Sequence, residues 1–277
     1  MYDCIHSESK KMVSIKFFKK LEEFKKELFM HESLTNPYIV GYIRCFIDEK
    51  KRNFIIITEL ASNESLFTKL SSTNGLQNAN KREISLDLAN AILYMHSRNI
   101  VHHDINSKNI LFDKKQKLKL TGFGVSSVLI TPINKDSGTP GLKAPEVTTA
   151  KVYDFKSDVY SYGIVLWELF TETSYLKNDG SPPTIPDCCP ESLKDLLLKC
   201  LNIDPLQRPS ISYIIDYIDK YGDNLFAKIW KPTELPQLSP KHKQTSKTTT
   251  NDNATVNSTL PPLKKKPQPM KVISRCT

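Results

Sequence analysis

The run His102-His103-Asp104-Ile105-Asn106-Ser107-Lys108-Asn109 sets a carboxylate and a carboxamide five residues apart in a polar loop. An aspartate so placed can take the proton of a hydroxyl, and an asparagine oxygen can ligate a divalent cation. Transfer of a phosphoryl group needs both, together with a cation on the α/β-phosphates and a carboxylate that fixes that cation. Val13-Ser14-Ile15-Lys16 puts a lysine on a strand, and Glu27 follows where Leu21, Phe24 and Leu28 mark one helical face. Alone, a strand lysine and a helix glutamate read as solvated charges. Their position ahead of the Asp104 loop makes them a candidate ion pair.

Further pieces follow in order: Gly138-Thr139-Pro140, Ala144-Pro145-Glu146, Asp158, and Arg208 within Asp204-Pro205-Leu206-Gln207-Arg208-Pro209. Taken together with the Asp104 loop, these motifs resemble those of a protein kinase over residues 1 to about 222. Ser157-Asp158-Val159-Tyr160-Ser161-Tyr162-Gly163 with Trp167-Glu168-Leu169 is similar to the tyrosine-kinase-like group, whereas Gly138-Thr139 resembles serine/threonine kinases. The resemblance implies Asp104 as the base, Asn109 as a metal ligand, and Lys16 with Glu27 as the phosphate-positioning pair. It also implies a nucleotide site with Thr58 as gatekeeper, Glu59-Leu60-Ala61 as hinge, Leu111 beneath the adenine and Ser14 above it. His102 and Phe123 take structural positions, Glu146 pairs with Arg208, and Asp158 braces the catalytic loop.

Gly122-Phe123-Gly124 stands where the family has Asp-Phe-Gly, and glycine offers no oxygen to a metal. Asn109 is then the only metal-ligand position left, so Mg²⁺ or Mn²⁺ coordination is expected to be incomplete and ATP binding weak. Asn106 replaces a lysine beside the transferring phosphate. Ser14 replaces an alanine over the adenine ring and sets a hydroxyl against a flat apolar surface, although a serine can bond back to its own strand. His103 replaces an arginine, and a neutral imidazole pairs poorly with a phosphate on Thr131, Ser137 or Thr139. Met1-Tyr2-Asp3-Cys4 aligns with the strand after the glycine-rich loop, so that loop and the first strand are expected to be missing, either by true loss or through a misplaced start. A true loss leaves Tyr2–Ile5 as an exposed sheet edge that a partner would cover.

The elements that must position these residues follow from periodicity. Val13–Phe18 and Phe54–Thr58 read as strands, with one helix between them. After Ala61 the apolar residues fall at helical spacing: Ile84, Leu88, Ile92 and Met95; Leu193, Leu196, Leu197, Cys200 and Leu201; Ile211, Ile214, Ile215 and Ile218. Val159–Phe170 is apolar all round, as in a central buried helix, with Asp158 placed to cap its start. Ile110–Phe112 and Leu118–Leu120 flank Asp113-Lys114-Lys115 as a hairpin. The expected architecture is an α+β, bilobal kinase fold: residues 1–61 form a small β-rich N-lobe with its hinge at 59–61, residues 62–222 a helical C-lobe, and residues 223–277 a disordered tail.

The chain has 277 residues and a net charge of +9. Residues 231–277 hold nine Lys/Arg against Glu234 and Asp252, which is +7 and leaves about +2 for the rest. The basic excess belongs to a proline-rich tail, so a specific nucleic-acid surface is not expected. Six cysteines without metal spacing point to reduced thiols, and no segment reads as a signal or membrane span. The expected location is cytoplasmic, or nuclear through Pro261–Pro267, whose basic run could meet import receptors or anionic surfaces; a plain solvated linker is the simpler reading. Two functions fit: a pseudokinase acting as a regulatory or scaffold module among other signalling proteins, or an active serine/threonine kinase that works slowly.

Overall fold

The computed structural model describes residues 2–5, 12–48, 53–61, 64–72, 76–129, 138–139, 141–149, 154–175 and 182–227. The expectations for the tail, and for Thr131 and Ser137, lie outside these residues. A four-stranded antiparallel sheet runs in the order β1 (Tyr2–Ile5), β2 (Met12–Phe18), β4 (Asn53–Glu59), β3 (Tyr42–Asp48). Helix α1 (Leu21–Ser33) packs on one face of it. Alternation along β2 sends Ser14, Lys16 and Phe18 to the helix side, and Phe18 and Phe54 close on Phe24 at ring separations of 5.8 and 5.7 Å. A one-residue slip in β2 would turn Lys16 outward, so this small core fixes the lysine as well as the sheet. β1 is an edge strand of the described sheet.

The remaining elements are short or helical: α2 (Leu66–Leu70), α3 (Asn78–Ser97), β5 (Ile100–Val101), β6 (Ile110–Phe112), β7 (Leu118–Leu120), β8 (Ser127–Val128), α4 (Pro145–Thr149), α5 (Phe155–Thr171), α6 (Glu191–Cys200) and α7 (Ile211–Leu225), with a 3₁₀ turn at Pro205–Gln207. β6 and β7 pair as the expected hairpin. The stripes on α3 and α6 are fully buried, as are Ile211, Ile214 and Ile218 of α7. Every residue of α5 from Ser157 to Thr171 is buried, which makes it the axis of the helical lobe. α7 runs three residues beyond the expected end of the lobe at 222.

One capping expectation is corrected. The residue that caps α5 is Asp154, whose side chain accepts from the Lys156 amide at 2.8 Å. Asp158 lies within the first turn, and its carboxylate is committed to the loop at 102–103 instead. The described helices include none long and apolar enough to cross a membrane.

Candidate functional site

Lys16 reaches across from β2 and donates to both carboxylate oxygens of Glu27, each at 2.7 Å. Glu27 is 4% exposed, and this pair compensates the burial of its charge. One helical turn on, His31 is buried with its Nε2 at 3.9 Å from Glu27. Desolvation, with the Lys16 charge second, pushes the His31 pKa down to about 4, so its ring is neutral near pH 7. Its imidazole links Tyr42 at 6.4 Å to Phe123 at 5.3 Å, and Phe123 meets His102 edge-on at 5.3 Å. A continuous aromatic column thus ties the sheet and α1 to the catalytic loop.

That loop is held from below. The Asp158 carboxylate accepts from the amides of His102 and His103 at 2.9 and 3.0 Å and meets His96 Nε2 at 2.9 Å. Burial alone would raise its pKa, but the hydrogen bond to His96 and the surrounding histidines hold it below the usual carboxylate range. His103 adopts φ +67°, a left-handed conformation that few non-glycine residues take. His102 Nε2 donates to the Thr121 carbonyl at 3.0 Å, leaving Nδ1 to accept from the Asp104 amide.

Both oxygens of Asp104 are occupied. Oδ1 accepts from the Thr139 amide at 2.9 Å, the Thr139 hydroxyl at 2.5 Å and Asn106 Nδ2 at 3.1 Å. Oδ2 accepts from Asn109 Nδ2 at 2.8 Å. Asn109 Nδ2 also donates to the Asp104 carbonyl at 2.8 Å, and Asn106 Oδ1 accepts from the Lys108 and Asn109 amides. Asn106 therefore stiffens the loop as a turn residue where a cation would otherwise reach the phosphate.

Glycine stands at the position expected to supply a metal carboxylate, so that ligand is absent from the site. Gly122 has φ +94°, and a Cβ there would lie 2.6 Å from Asn109 Cγ and Nδ2 and 2.8 Å from its Oδ1. The Asn109 amide fills the space that a ligating carboxylate would need. Among the described residues no group of three or more His, Cys, Asp or Glu side chains could hold a metal.

The residues expected around a nucleotide base lie along β2, β4 and the hairpin. Ser14 is paired in register with Thr58, and both are buried. The Ser14 hydroxyl has no hydrogen-bond partner, so the back-bond open to a serine is not made here. Ala61 is buried and Leu111 half-buried. Glu59 turns its carboxylate away from the Ser14–Thr58 face, accepting from the Gly41 amide at 3.0 Å and pairing with Lys119 at 2.6 Å, which anchors the hinge to β7. Further down, Arg208 is enclosed and makes a two-pronged pair with Glu146 at 2.7 and 2.8 Å.

The structure thus brings together Lys16 with Glu27, Asp104 with Asn109, Glu146 with Arg208, and Asp158 with the loop it holds. Burial also pushes the His103 pKa down to about 4, and its Nε2 meets the Ser127 hydroxyl at 2.8 Å. The sequence reading missed three contacts: His31 in the aromatic column, Thr139 on Asp104, and Glu168, whose buried carboxyl accepts from the Ser107 hydroxyl at 3.2 Å and the Tyr175 amide at 2.8 Å. Only His31 carried a signal, standing four residues after Glu27 on the same face of α1.

The family profile described as Protein kinase domain matches residues 1–217. Among curated proteins, "Probable serine/threonine-protein kinase kinX" of Dictyostelium discoideum is 30% identical over 263 residues, covering 89% of this chain and 24% of that protein. "Cell cycle serine/threonine-protein kinase CDC5/MSD2" of Saccharomyces cerevisiae is 33% identical over 223 residues, covering 74% of this chain and 31% of that protein. "Serine/threonine-protein kinase STY17" of Arabidopsis thaliana is 31% identical over 215 residues, covering 72% and 37%. The chain therefore spans 24–37% of the length of these relatives.

Proposed function

This chain belongs to the protein kinase family, and we propose that within it the protein is a catalytically impaired member of the tyrosine-kinase-like group, acting as a regulatory or scaffold module among signalling proteins. The family in general uses ATP and a divalent metal. The observation that carries the proposal is the replacement of the metal carboxylate by Gly122, with the Asn109 amide packed into the space beside it.

The metal's part in phosphoryl transfer is to neutralise charge on the phosphate oxygens, and losing a positioned electrostatic stabiliser lowers the rate by about 10²–10³. Lys16, fixed by Glu27, remains able to meet an α- or β-phosphate. Asp104 remains able to accept a hydroxyl proton once Thr139 yields its place. The Ser14–Thr58 face, Ala61 and Leu111 remain able to hold a base. What this chain's residues support is binding and a fixed lobe arrangement, with little chemical turnover.

The intact Lys16–Glu27 pair favours a second reading, a slow serine/threonine kinase. One assay separates the two: purified protein with labelled ATP, Mg²⁺ or Mn²⁺ and a generic protein substrate. The proposal expects no turnover above an Asp104→Asn control; turnover that Asp104→Asn abolishes supports the slow kinase and overturns it. Partners and location follow the same proposal, and deletion of residues 231–277 with imaging of the protein in cells tests whether the basic tail directs it to nuclei or anionic surfaces.

A further inference from the structure

An apolar groove of about 480 Å³ runs along α6, and none of its lining residues belongs to the Lys16–Asp104 cleft. One wall is the segment Pro182, Pro183 and Ile185; the other is the exposed side of α6 with Leu198; Ile203 closes one end. Leu198 is 57% and Ile203 71% exposed, although both are large aliphatic residues. Leu201 forms the buried floor.

The walls are pinned rather than pliable. Trp167 Nε1 donates to the Thr184 carbonyl at 2.9 Å, which holds the proline wall against α5. Leu193, Leu196, Leu197 and Cys200 sink the opposite face of α6 into the core. Arg208 Nε donates to the Asn202 carbonyl at 2.8 Å and Nη2 to that of Ile203 at 3.4 Å, fixing the closing turn. A groove already in its binding shape forfeits little ordering entropy when a partner enters. Rigid aliphatic side chains left facing water mark an interaction surface more often than a structural need.

Charge selects the occupant. Lys194 lines the same groove, and among the described residues no carboxylate stands within ion-pair distance of it, because neighbouring Asp195 is engaged by Lys199 at 2.8 Å and by the Tyr217 hydroxyl. The chain's own tail carries +7 and shares the sign of Lys194. A two-fold dimer through this face sets one copy's groove residues against the other's, and that lining includes no carboxylate to meet Lys194. A small ligand would leave Leu198 and Ile203 half wet, whereas sites of ~300–1,000 Å³ that bind small molecules enclose most of the ligand's surface. A protein segment can cover ridge and groove together.

We infer that this groove is a docking site for an acidic peptide segment of another protein, with aliphatic or aromatic side chains seated between Pro183 and Leu198 and a carboxylate on Lys194. The inference does not depend on whether the cleft transfers phosphate.

The test uses the full chain and fluorescein-labelled Asp-Glu-Leu-Phe-Asp-Leu-Leu-Glu-Asp, its charge-reversed version with lysine at every acidic position, and a version with serine at every apolar position. Fluorescence anisotropy should show saturable binding of the first alone, weakened by added salt. Leu198→Asp should weaken it more than about tenfold, and Lys194→Glu should weaken it while admitting the lysine peptide; that fold-change is about 1.4 kcal/mol. Both side chains lie on the outer side of α6, so unchanged thermal melting of the variants attributes the loss to the groove. Equal binding of both charged peptides, no binding of the acidic one, or indifference to both substitutions overturns the inference. So does a dimer seen by sedimentation that Leu198→Asp dissolves, since the groove would then belong to a second copy.

Discussion

A Cβ placed on Gly122 lies 2.6 Å from the side-chain Cγ of Asn109, so the loss of the metal carboxylate and the position of the remaining ligand are one packing event. Contacts under 3.0 Å force a neighbour to move, and Asn109 is held by two 2.8 Å bonds from its Nδ2 to Asp104. Restoring aspartate is therefore not a simple repair. Gly122→Asp must displace Asn109, loosen Asp104 and place a side chain at φ +94°, at a cost of roughly 1–3 kcal/mol. The variant should melt lower and remain within about tenfold of the parent in labelled phosphate transfer. A rise of a hundredfold or more would mean that the rest of the cleft is competent as it stands.

Nucleotide affinity should not depend on a divalent cation. With Gly122 offering no oxygen, Asn109 Oδ1 is the one atom left of the two expected ligands, and Lys16 is the one charge fixed at the expected phosphate position by a described partner. A fluorescent ATP analogue should bind with and without EDTA within about threefold, under ~0.7 kcal/mol. Lys16→Met leaves Glu27 buried without its cation, so it also lowers the melting temperature. Comparison of adenosine with ATP separates the effects: the variant should keep its affinity for adenosine and lose the advantage of ATP. Strong Mg²⁺ dependence in the parent would end this view of the site.

Ser14→Ala should stabilise the fold. Ser14 is 6% exposed, opposite Thr58, and its buried hydroxyl hydrogen-bonds to nothing. An unpaired buried hydroxyl is worth roughly 1–3 kcal/mol against folding, and alanine removes it without opening much space. A gain of about 1 kcal/mol corresponds to a melting temperature higher by ~2–4 °C in a domain of this size. A lower melting temperature would show that the hydroxyl has a partner in solution.

Periodicity and motif order together made the fold legible. Alternation over Val13–Phe18 and the stripes on α3, α6 and α7 name buried faces because strands and helices repeat with fixed periods. The pairs Lys16–Glu27 and Glu146–Arg208 were legible from motif order and realised in contact. What escaped was set by tertiary approach. Nothing in the spacing of Thr139 and Asp104 says that a hydroxyl will cap the base, nor that Glu168, one turn from the end of α5, will meet Ser107 in the loop. Asp158 was read both as the cap of α5 and as the brace of the catalytic loop; the brace is realised on the His102 and His103 amides, while the cap belongs to Asp154 four residues earlier. The back-bond open to Ser14 is not made, since β2 is paired on both sides and its strand amides and carbonyls are engaged there.

Stability should fall as the pH drops from about 6.5 toward 5, with a slope set by opposing groups. Burial lowers the folded pKa of His31 and His103 to about 4, and lowers that of His102 as well. Each folded histidine resists protonation, so its contribution is fully present above the unfolded value near 6.5 and is lost as the pH falls through the window to about 4. Burial also raises Glu168 to about 7 and Asp87 to about 6. These carboxyls bind protons in the folded state, so their contribution is present at low pH and is lost as the pH rises through those values. Near pH 5.5 the three histidines leave extra protons on the unfolded chain and the two carboxyls extra protons on the folded one, so the fall in stability is shallower than the histidines alone would give. Glu168→Gln keeps the shape of the protonated carboxyl and its contact with Ser107 while deleting its titration. It should steepen the slope by roughly 1 kcal/mol per pH unit, read from urea midpoints across pH 5–6.5. An unchanged slope in that variant would mean that Glu168 is already ionised in the folded protein and that its place beside Ser107 carries no proton.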